Sequence, residues 1–292
     1  MREEEWVRGL MGLVACDRPR RGASTMGRPD HWTEALALLE GKRRIAVVTG
    51  FYVLEAGAAE TDGPGGALVL ARALERDGKR AVVVTDSLCF DVVAAGAAAL
   101  DDGPPLLCVD EPGEIWSWDP DLLLYVERPG RCRDGTFRNM RGRDISSVTA
   151  PLDGAALEAP LRGVSLLSVG DGGNEAGMAS FLEGLSAARP EFAPSLCCIP
   201  ADVALAVDVS NWGAYALGAL LSCRRGIWLG HGPYEEERLL RSLVAAGAVD
   251  GVSGLSEPSV DGFPLEVQRE IVAELQNLWR TFTSSPEGGG AS

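Results

Sequence analysis

Short apolar runs rich in β-branched residues alternate with helical segments along most of this chain. The runs are predicted strands at residues 44–50, 81–86, 106–110, 122–126, 164–169 and 205–208. Continuous apolar strands between helices are typical of a parallel sheet that is buried on both faces. The pattern therefore predicts an α/β fold with a doubly wound, mostly parallel, Rossmann-like sheet and helices on both faces.

The two ends of the chain carry other patterns. Within residues 1–40, apolar residues recur at helical spacing, and Gly41 follows the second predicted helix. We therefore expect a helical lead-in over residues 1–40, within a single domain that spans residues 1–282. The polar, glycine-rich segment 283–292 predicts a disordered tail.

The chain is acidic, with 27 Lys and Arg against 42 Asp and Glu and a formal net charge of −15. Nucleic-acid binding needs a basic face, and an acidic surface is also repelled by anionic membranes. The sequence has neither the long apolar run of a transmembrane helix nor the pattern of a secretory signal. We expect a cytoplasmic protein that binds a small molecule and neither nucleic acid nor membrane, with a homodimer as the default assembly.

Cysteine and histidine usage limits the kind of metal site. Seven cysteines without C-x-x-C spacing predict reduced thiols, and two histidines cannot build a histidine-rich zinc site. Any metal must therefore be held by oxygen ligands, which suit Mg²⁺ or Mn²⁺ and also Ca²⁺.

Polar residues follow the predicted strands at their carboxyl ends, where open parallel sheets bind ligands. In chain order they are Glu60 to Asp62, Asp86, Glu127 with Arg128, Gly170 to Glu175, and Ser210 with Asn211. A helix cap explains Asp62 alone but not Glu60 and Asp62 together. Asp86 alone has the simpler interpretation of a turn or cap residue, and Glu127 with Arg128 that of an ion pair on the surface.

The segment Gly170 to Glu175 is the most informative of these elements about the kind of ligand. A dinucleotide-binding G-x-G-x-x-G turn needs glycine where Glu175 stands, and the carboxylates would repel a phosphate. We therefore expect no nucleotide cofactor. Asp171 and Glu175 suit a divalent metal or a substrate ammonium, whereas the structural alternative is a tight turn capped by Asp171 and Asn174.

Six segments of the chain resemble the D-glutamate cyclase family. They are residues 60–67, 127–130, 139–142, 170–178, 209–215 and 251–254, within a match that runs from Asp17 to Leu265. The blocks G-D-G-G-N-E and S-N-W-G are the specific ones. The likeness is to a stand-alone microbial form of the domain that ends a longer mitochondrial enzyme in animals. It implies a lyase that dehydrates D-glutamate to 5-oxo-D-proline, and it implies a divalent metal.

That chemistry assigns expected roles to the residues. The metal that polarises the γ-carboxylate would be held by Glu60, Asp62, Asp171 and Glu175. The general base would be one of these carboxylates, with Asp171 and Glu175 as candidates, or Asp86. Substrate binding is expected from Arg20, Arg21, Arg128, Asn139, Arg141, Asn174, Ser210 and Asn211, with an arginine on the α-carboxylate.

Two other classes of function stay open at this point. One is a metal-dependent hydrolase or lyase of another small anionic metabolite, such as a phosphate ester. The other is a metabolite-binding module without catalysis, which would show ligand-induced stabilisation and no product.

Overall fold

Six parallel strands form the central sheet of the computed structural model, which describes residues 3–284. The strands are β1 (Arg44–Thr49), β2 (Arg80–Thr85), β3 (Leu106–Cys108), β4 (Leu122–Val126), β5 (Ser165–Gly170) and β6 (Val203–Ala206). They lie in the order β3-β2-β1-β4-β5-β6, and every neighbouring pair is parallel. This is the strand order of doubly wound dinucleotide-binding folds, so the predicted fold class is confirmed.

Helices surround this sheet. They are α1 (Glu3–Val14), α2 (Pro29–Glu40), α3 (Pro64–Arg76), α4 (Phe90–Ala99), α5 (Gly154–Arg162), α6 (Leu182–Ala188), α7 (Ser210–Arg225), α8 (Pro233–Ala245) and α9 (Leu265–Ser284). Val47 and Val83 pack in the core with α3 and α7, whereas Val48 and Val84 pack in a second core with α5. Because alternate residues of each strand are buried on opposite faces, the strands have continuous apolar sequences.

Two short antiparallel ribbons flank the sheet near the carboxyl ends of its strands. One pairs Tyr52–Val53 with Ala58–Ala59, directly after β1, and the other pairs Ser259–Val260 with Phe263–Pro264, before α9. Segments of 3₁₀ helix occupy Ser24–Met26, Pro112–Trp118, Ser146–Val148, Ala179–Phe181 and Pro190–Ser195.

The termini agree in part with expectation. The helical lead-in is present as α1 and α2, whose Trp6 and Trp32 are fully buried. The last helix runs to Ser284, so Thr283 and Ser284, which the sequence assigned to the tail, are helical. Residues 285–292 lie outside the described residues. Among the described helices, none is both long and apolar enough to cross a membrane.

The crevice of the sheet lies where β1 and β4 are neighbours. From these two strands the chain proceeds toward opposite edges of the sheet, which is the topological switch point of doubly wound folds. The loops that follow β1, β4, β5 and β6 meet at this point and carry the residues of the candidate site.

Candidate active site

Three carboxylates meet at the carboxyl ends of the strands. Asp62 lies in the loop after β1, Glu127 directly follows β4, and Asp171 directly follows β5. All three residues are buried, and one oxygen from each lies within 4.8 Å of the other two. The sequence predicted metal-ligand roles for Asp62 and Asp171 and gave none to Glu127.

Asp62 is held by the first turn of α7. Its Oδ2 accepts a hydrogen bond from the Ser210 N–H at 2.9 Å, and its Oδ1 accepts one from the Asn211 N–H at 2.8 Å. Burial, followed by the charge of Asp261, raises the pKa of Asp62 from 3.8 to about 7, and these two hydrogen bonds oppose the rise. The carboxyl therefore exchanges its proton near neutral pH.

Glu127 lies against the same turn of α7. Its backbone has a φ of 45°, a conformation that non-glycine residues seldom adopt. Its Oε2 accepts a hydrogen bond from the Ser210 hydroxyl at 2.6 Å. Burial, followed by the charges of Glu175 and Asp62, raises the pKa of Glu127 well above its usual value. Ser210, which was predicted to bind substrate, thus donates its backbone N–H to Asp62 and its hydroxyl to Glu127.

Arg21 is the cation of this cluster. Its guanidinium forms ion pairs with Asp171 at 2.5 Å and with Asp261 at 2.8 Å. Burial by itself lowers the pKa of Arg21. The charges of these two carboxylates act in the opposite direction, and the pKa of Arg21 is raised overall. Burial also raises the pKa of Asp171 well above its usual value, and Arg21 opposes that rise. Arg20, predicted as an alternative anchor, is exposed, and its carbonyl accepts a hydrogen bond from Arg189.

Glu60 faces the same space from the loop after β1. Its Oε1 is buried and accepts no hydrogen bond from the described residues. Burial, followed by Asp261 and Asp62, raises the pKa of Glu60 well above its usual value. A Cβ at Gly251 would lie 2.2 Å from Oε2 of Glu60, so only glycine leaves room for this carboxylate. Glu60 is absent from the cluster of three whose oxygens lie within metal-binding distance of one another.

Glu175 has a different position from the one predicted for a metal ligand. Its Oε1 accepts hydrogen bonds from the N–H groups of Asp171 and Gly172, at 3.1 and 2.8 Å, and its Oε2 accepts one from Gly173 at 2.7 Å. The sequence predicted a helix from about residue 174, whereas the first helical turn after β5 is Ala179–Phe181. The Glu175 carboxylate accepts hydrogen bonds from these three backbone N–H groups, so the loop is held in a non-helical conformation.

Asp86 and Arg128, predicted as base and substrate anchor, bind each other. They form a fully buried ion pair, in which Arg128 Nη1 contacts Asp86 Oδ2. Arg128 also donates to the carbonyls of Gly50 and Ala150, and Asp86 Oδ1 accepts a hydrogen bond from the Cys89 N–H at 3.1 Å. The pair joins the loops after β1, β2 and β4. The alternative of a surface ion pair between Glu127 and Arg128 is wrong, because both residues are buried and each has another partner.

Asn211 joins α7 to the start of α3. Its Oδ1 accepts hydrogen bonds from the N–H groups of Gly63 and Gly66, and its Nδ2 donates to the Thr61 carbonyl at 3.0 Å. The amide is therefore used within the protein, where it fixes the loop that carries Asp62.

The loop around residue 140 contains two of the predicted binding residues, Asn139 and Arg141, and it contacts a third, Asn174. Asn139 Oδ1 accepts hydrogen bonds from the N–H groups of Arg141 and Arg143. Arg141 donates from Nη2 to the Val252 carbonyl at 2.8 Å, and Asn174 donates from Nδ2 to the Arg138 carbonyl at 3.2 Å. These bonds tie the loop to neighbouring segments on both of its sides.

A cavity of about 320 Å³ opens over the carboxylates. This volume lies at the small end of the range of ligand pockets and suits a metabolite. Charged and apolar side chains both line its wall. It is lined by Arg21, Phe51, Tyr52, Val53, Leu54, Glu55, Glu60, Glu127, Asn139, Met140, Arg141, Asp171, Asn174, Phe192, Gly251, Val252 and Asp261.

Sequence reasoning missed Glu127 as part of the cluster and missed Asp261 altogether. Asp261 and Gly262 both have positive φ, at 54° and 77°, in the two-residue turn of the second ribbon. An Asp-Gly pair between Val260 and Phe263 is the sequence signal of such a turn. The signal predicts the hairpin, whereas the arrival of its tip at Arg21 depends on the packing of distant segments.

The carboxylates fit a bound divalent cation. Burying several carboxylates together is unfavourable unless cations or protons offset their charge. Arg21 is the ion-pairing partner seen for Asp171 and Asp261 among the described residues, and Glu60 Oε1 has no partner there. Asp62, Glu127 and Asp171 supply oxygen donors, which suit Mg²⁺, Mn²⁺ or Ca²⁺ without selecting one of them.

The fold and the site define a doubly wound α/β protein with a buried carboxylate cluster at its switch point, one that can hold a metal ion. Residues 10–276 match the family model described as "D-glutamate cyclase-like, C-terminal". The chain therefore belongs to the D-glutamate cyclase-like family, as the resemblance of its motifs predicted.

The chain is similar to two known proteins, one by sequence and one by a weak structural match. The human mitochondrial D-glutamate cyclase is 28% identical over an alignment of 319 positions, which covers 93% of this chain and 52% of the human protein. The chain thus spans about half the length of this curated relative. A crystal structure of RecJ from Thermus thermophilus in complex with Mn²⁺ has 14% identity and a TM-score of 0.37, over 88% of this chain and 35% of that one.

Proposed function

We propose that this protein is a lyase that dehydrates D-glutamate to 5-oxo-D-proline, with a divalent cation on Asp62, Glu127 and Asp171. The observation that carries the proposal is the buried cluster of these three carboxylates beneath a metabolite-sized cavity. Membership of the D-glutamate cyclase-like family supports the substrate.

The reaction closes a ring within one molecule. The α-amine nitrogen forms a bond to the γ-carboxyl carbon, and one carbon–oxygen bond of that carboxyl breaks. The ammonium gives up two protons, and they leave with the departing oxygen as water. No oxidation or reduction takes place. A carboxylate is a poor electrophile, so the site must offset the negative charge that develops on its oxygens.

The carboxylate cluster and the residues that line the cavity divide this work. Asp62, Glu127 and Asp171 would hold the cation, which when bound polarises the γ-carboxylate as a Lewis acid. Arg141 lies on the cavity wall and is exposed, so its guanidinium is available to the α-carboxylate. Arg21 keeps Asp171 in place from the protein side.

Proton transfer is assigned to Glu60. Glu60 lines the cavity, and its Oε1 has no hydrogen-bond partner among the described residues, so we assign to this carboxylate the acceptance of a proton from the substrate ammonium. Asp86, the base that the sequence offered as an alternative, is held by Arg128 instead.

Chiral chromatography of reactions with D- and L-glutamate tests the proposal, with Mn²⁺, with Mg²⁺ and with EDTA. We expect 5-oxo-D-proline from the D-isomer alone and none with EDTA. Asp171→Asn should lower turnover roughly 100-fold or more. Asp202→Asn is the matched control, because Asp202 accepts the Leu166 N–H at the opposite end of the sheet.

The other outcomes separate the alternatives. Product that survives EDTA would overturn the metal mechanism and keep the cyclase. Turnover of a phosphate ester with Mn²⁺, without turnover of glutamate, would overturn the substrate in favour of a metal-dependent hydrolase. Thermal stabilisation by D-glutamate without product would identify a binding module.

A further inference from the structure

Asp208, at the turn between β6 and α7, is a fully buried carboxylate that lies outside the acidic cluster. Its Oδ1 accepts a hydrogen bond from the Asp17 N–H at 2.8 Å, and its Oδ2 accepts those of Cys16 and Arg18 at 3.1 and 3.2 Å. One side chain thus binds three consecutive N–H groups of a segment about 190 residues earlier in the chain.

The segment that Asp208 binds, residues 15–22, is an unusual loop. Asp17, Arg20 and Gly22 all have positive φ, at 62°, 58° and 85°. Such conformations persist only where the surroundings impose them. Asp17 Oδ1 accepts the Gly22 N–H at 2.8 Å and closes the loop. The Arg18 guanidinium lies over the Trp212 ring, with 5.6 Å to the centroid, which fixes a second point on α7.

Arg21 stands at the far side of this loop. Its guanidinium reaches Asp171 and Asp261, and no regular element carries it. The position of its charge is therefore set by whatever holds the loop. The turn that holds it also continues into Ser210, whose N–H and hydroxyl bind Asp62 and Glu127.

We propose that Asp208 is a positioning residue that sets the Arg21 guanidinium against Asp171, so that Arg21 limits how strongly the acidic cluster binds a divalent cation. Arg21 shares Asp171 with the cation and repels it, so displacing Arg21 strengthens cation binding. The affinity for a divalent cation is a readout that rests on the proposed metal site. The susceptibility of the loop at residues 15–22 to trypsin is a second readout that does not.

The test compares Asp208→Asn, Arg21→Gln and the double variant in the full chain. An amide in place of the carboxylate keeps one acceptor oxygen and turns a donor toward backbone N–H groups. Asp121→Asn is the matched control, because Asp121 accepts the N–H groups of Arg43 and Arg44, both at 2.9 Å, at the other end of the sheet. Calorimetric titration with Mn²⁺ and limited trypsin digestion are measured for each protein.

Both single variants should bind Mn²⁺ at least tenfold more tightly than the parent, and the double variant should bind no more tightly than Arg21→Gln. General damage to the fold would weaken binding, so the sign separates positioning from destabilisation. Trypsin should cleave Asp208→Asn after Arg20 or Arg21, and neither the parent nor Asp121→Asn there.

Additive gains in the double variant would overturn the proposal, as would an unchanged Kd in Asp208→Asn. If the parent binds no Mn²⁺, the metal part of the proposed function fails, and the digestion alone decides. Asp208→Asn that stays uncleaved at Arg20 and Arg21 would then overturn the positioning role.

Discussion

The buried pair of Arg128 and Asp86 distinguishes a structural role from a role in substrate binding. Arg128 is 0% exposed and Asp86 is 2% exposed, and the guanidinium also donates to the carbonyls of Gly50 and Ala150. Arg128→Met keeps most of the side-chain volume and removes all of these donors. We expect it to lower the free energy of unfolding by about 3–5 kcal/mol.

The magnitude follows from what Arg128 would leave behind. Without it, the buried carboxylate of Asp86 keeps the Cys89 N–H but loses its cation, and two carbonyls lose a donor. Each unsatisfied buried group costs roughly 1–3 kcal/mol. Since the free energy of unfolding of a domain is only about 5–15 kcal/mol, this single change removes a large fraction of it. Asp86→Asn is the milder companion, because it keeps an oxygen for the Cys89 N–H.

Urea unfolding followed by circular dichroism measures the loss, and steady-state kinetics with D-glutamate accompany it. Arg8→Met is the control, because Arg8 and Glu4 form an ion pair whose side chains are 66% and 62% exposed. We expect that control to change stability by less than about 1 kcal/mol. A loss below about 1 kcal/mol in Arg128→Met, together with a strongly raised KM, would refute the structural role and restore Arg128 as the substrate anchor.

Close packing of α3 on α7 predicts that Gly66→Ala lowers the free energy of unfolding by about 1–3 kcal/mol, because the new Cβ would lie 2.8 Å from Cα of Asn211. Gly12→Ala in α1, with nothing within 4 Å, should instead stabilise by about 0.5–1 kcal/mol in the same urea assay, and equal effects would contradict the contact. Arg141→Gln should raise KM for D-glutamate at least tenfold with little change in kcat, and an unchanged KM would remove Arg141 from substrate binding. In EDTA, thermal stability should fall between pH 3.8 and about 7, because the pKa of Asp62 is raised across that window and the folded state there holds a proton that the unfolded state has lost. Melting curves with saturating Mn²⁺ should lack this slope, and stability that rises over the same window in EDTA would refute the assignment.

The sheet was predictable because burial on both faces leaves a direct pattern in the sequence. In the strand Arg44–Thr49 the apolar residues are consecutive, and the two strands beside it in the sheet also have consecutive apolar residues. The segment after β5 was less predictable. Glycines followed by Asn174 and Glu175 are compatible with a helix start, and the use of the Glu175 carboxylate on three N–H groups decides against it.

The candidate site was predictable in its location and only in part in its members. Strand ends that meet at one edge placed Asp62 and Asp171 together, as expected from the topology. Glu127 and Arg128 are adjacent in sequence, yet one faces the cavity and the other binds Asp86. No spacing rule distinguishes them, and the positive φ that Glu127 adopts at the end of β4 leaves no signal in the sequence.

The buried carboxylates differ in the partners that their oxygens have within the protein. Glu175 and Asp208 each accept three backbone N–H groups, which replace water and offset the charge within the protein. Glu60 lines the cavity and has an oxygen, Oε1, that accepts no hydrogen bond from the described residues, and Asp171 has only Arg21 as an ion-pair partner among the described residues. The N–H groups on Glu175 and Asp208 hold loops in place, whereas the carboxylates of Glu60 and Asp171 have fewer such partners to compete with a cation, a proton or a substrate. Asp62 combines both roles, because it accepts N–H groups from Gly63, Ser210 and Asn211 and still places an oxygen in the cluster with Glu127 and Asp171. A count of carboxylates at the strand ends does not show these partners, since they depend on how distant loops pack.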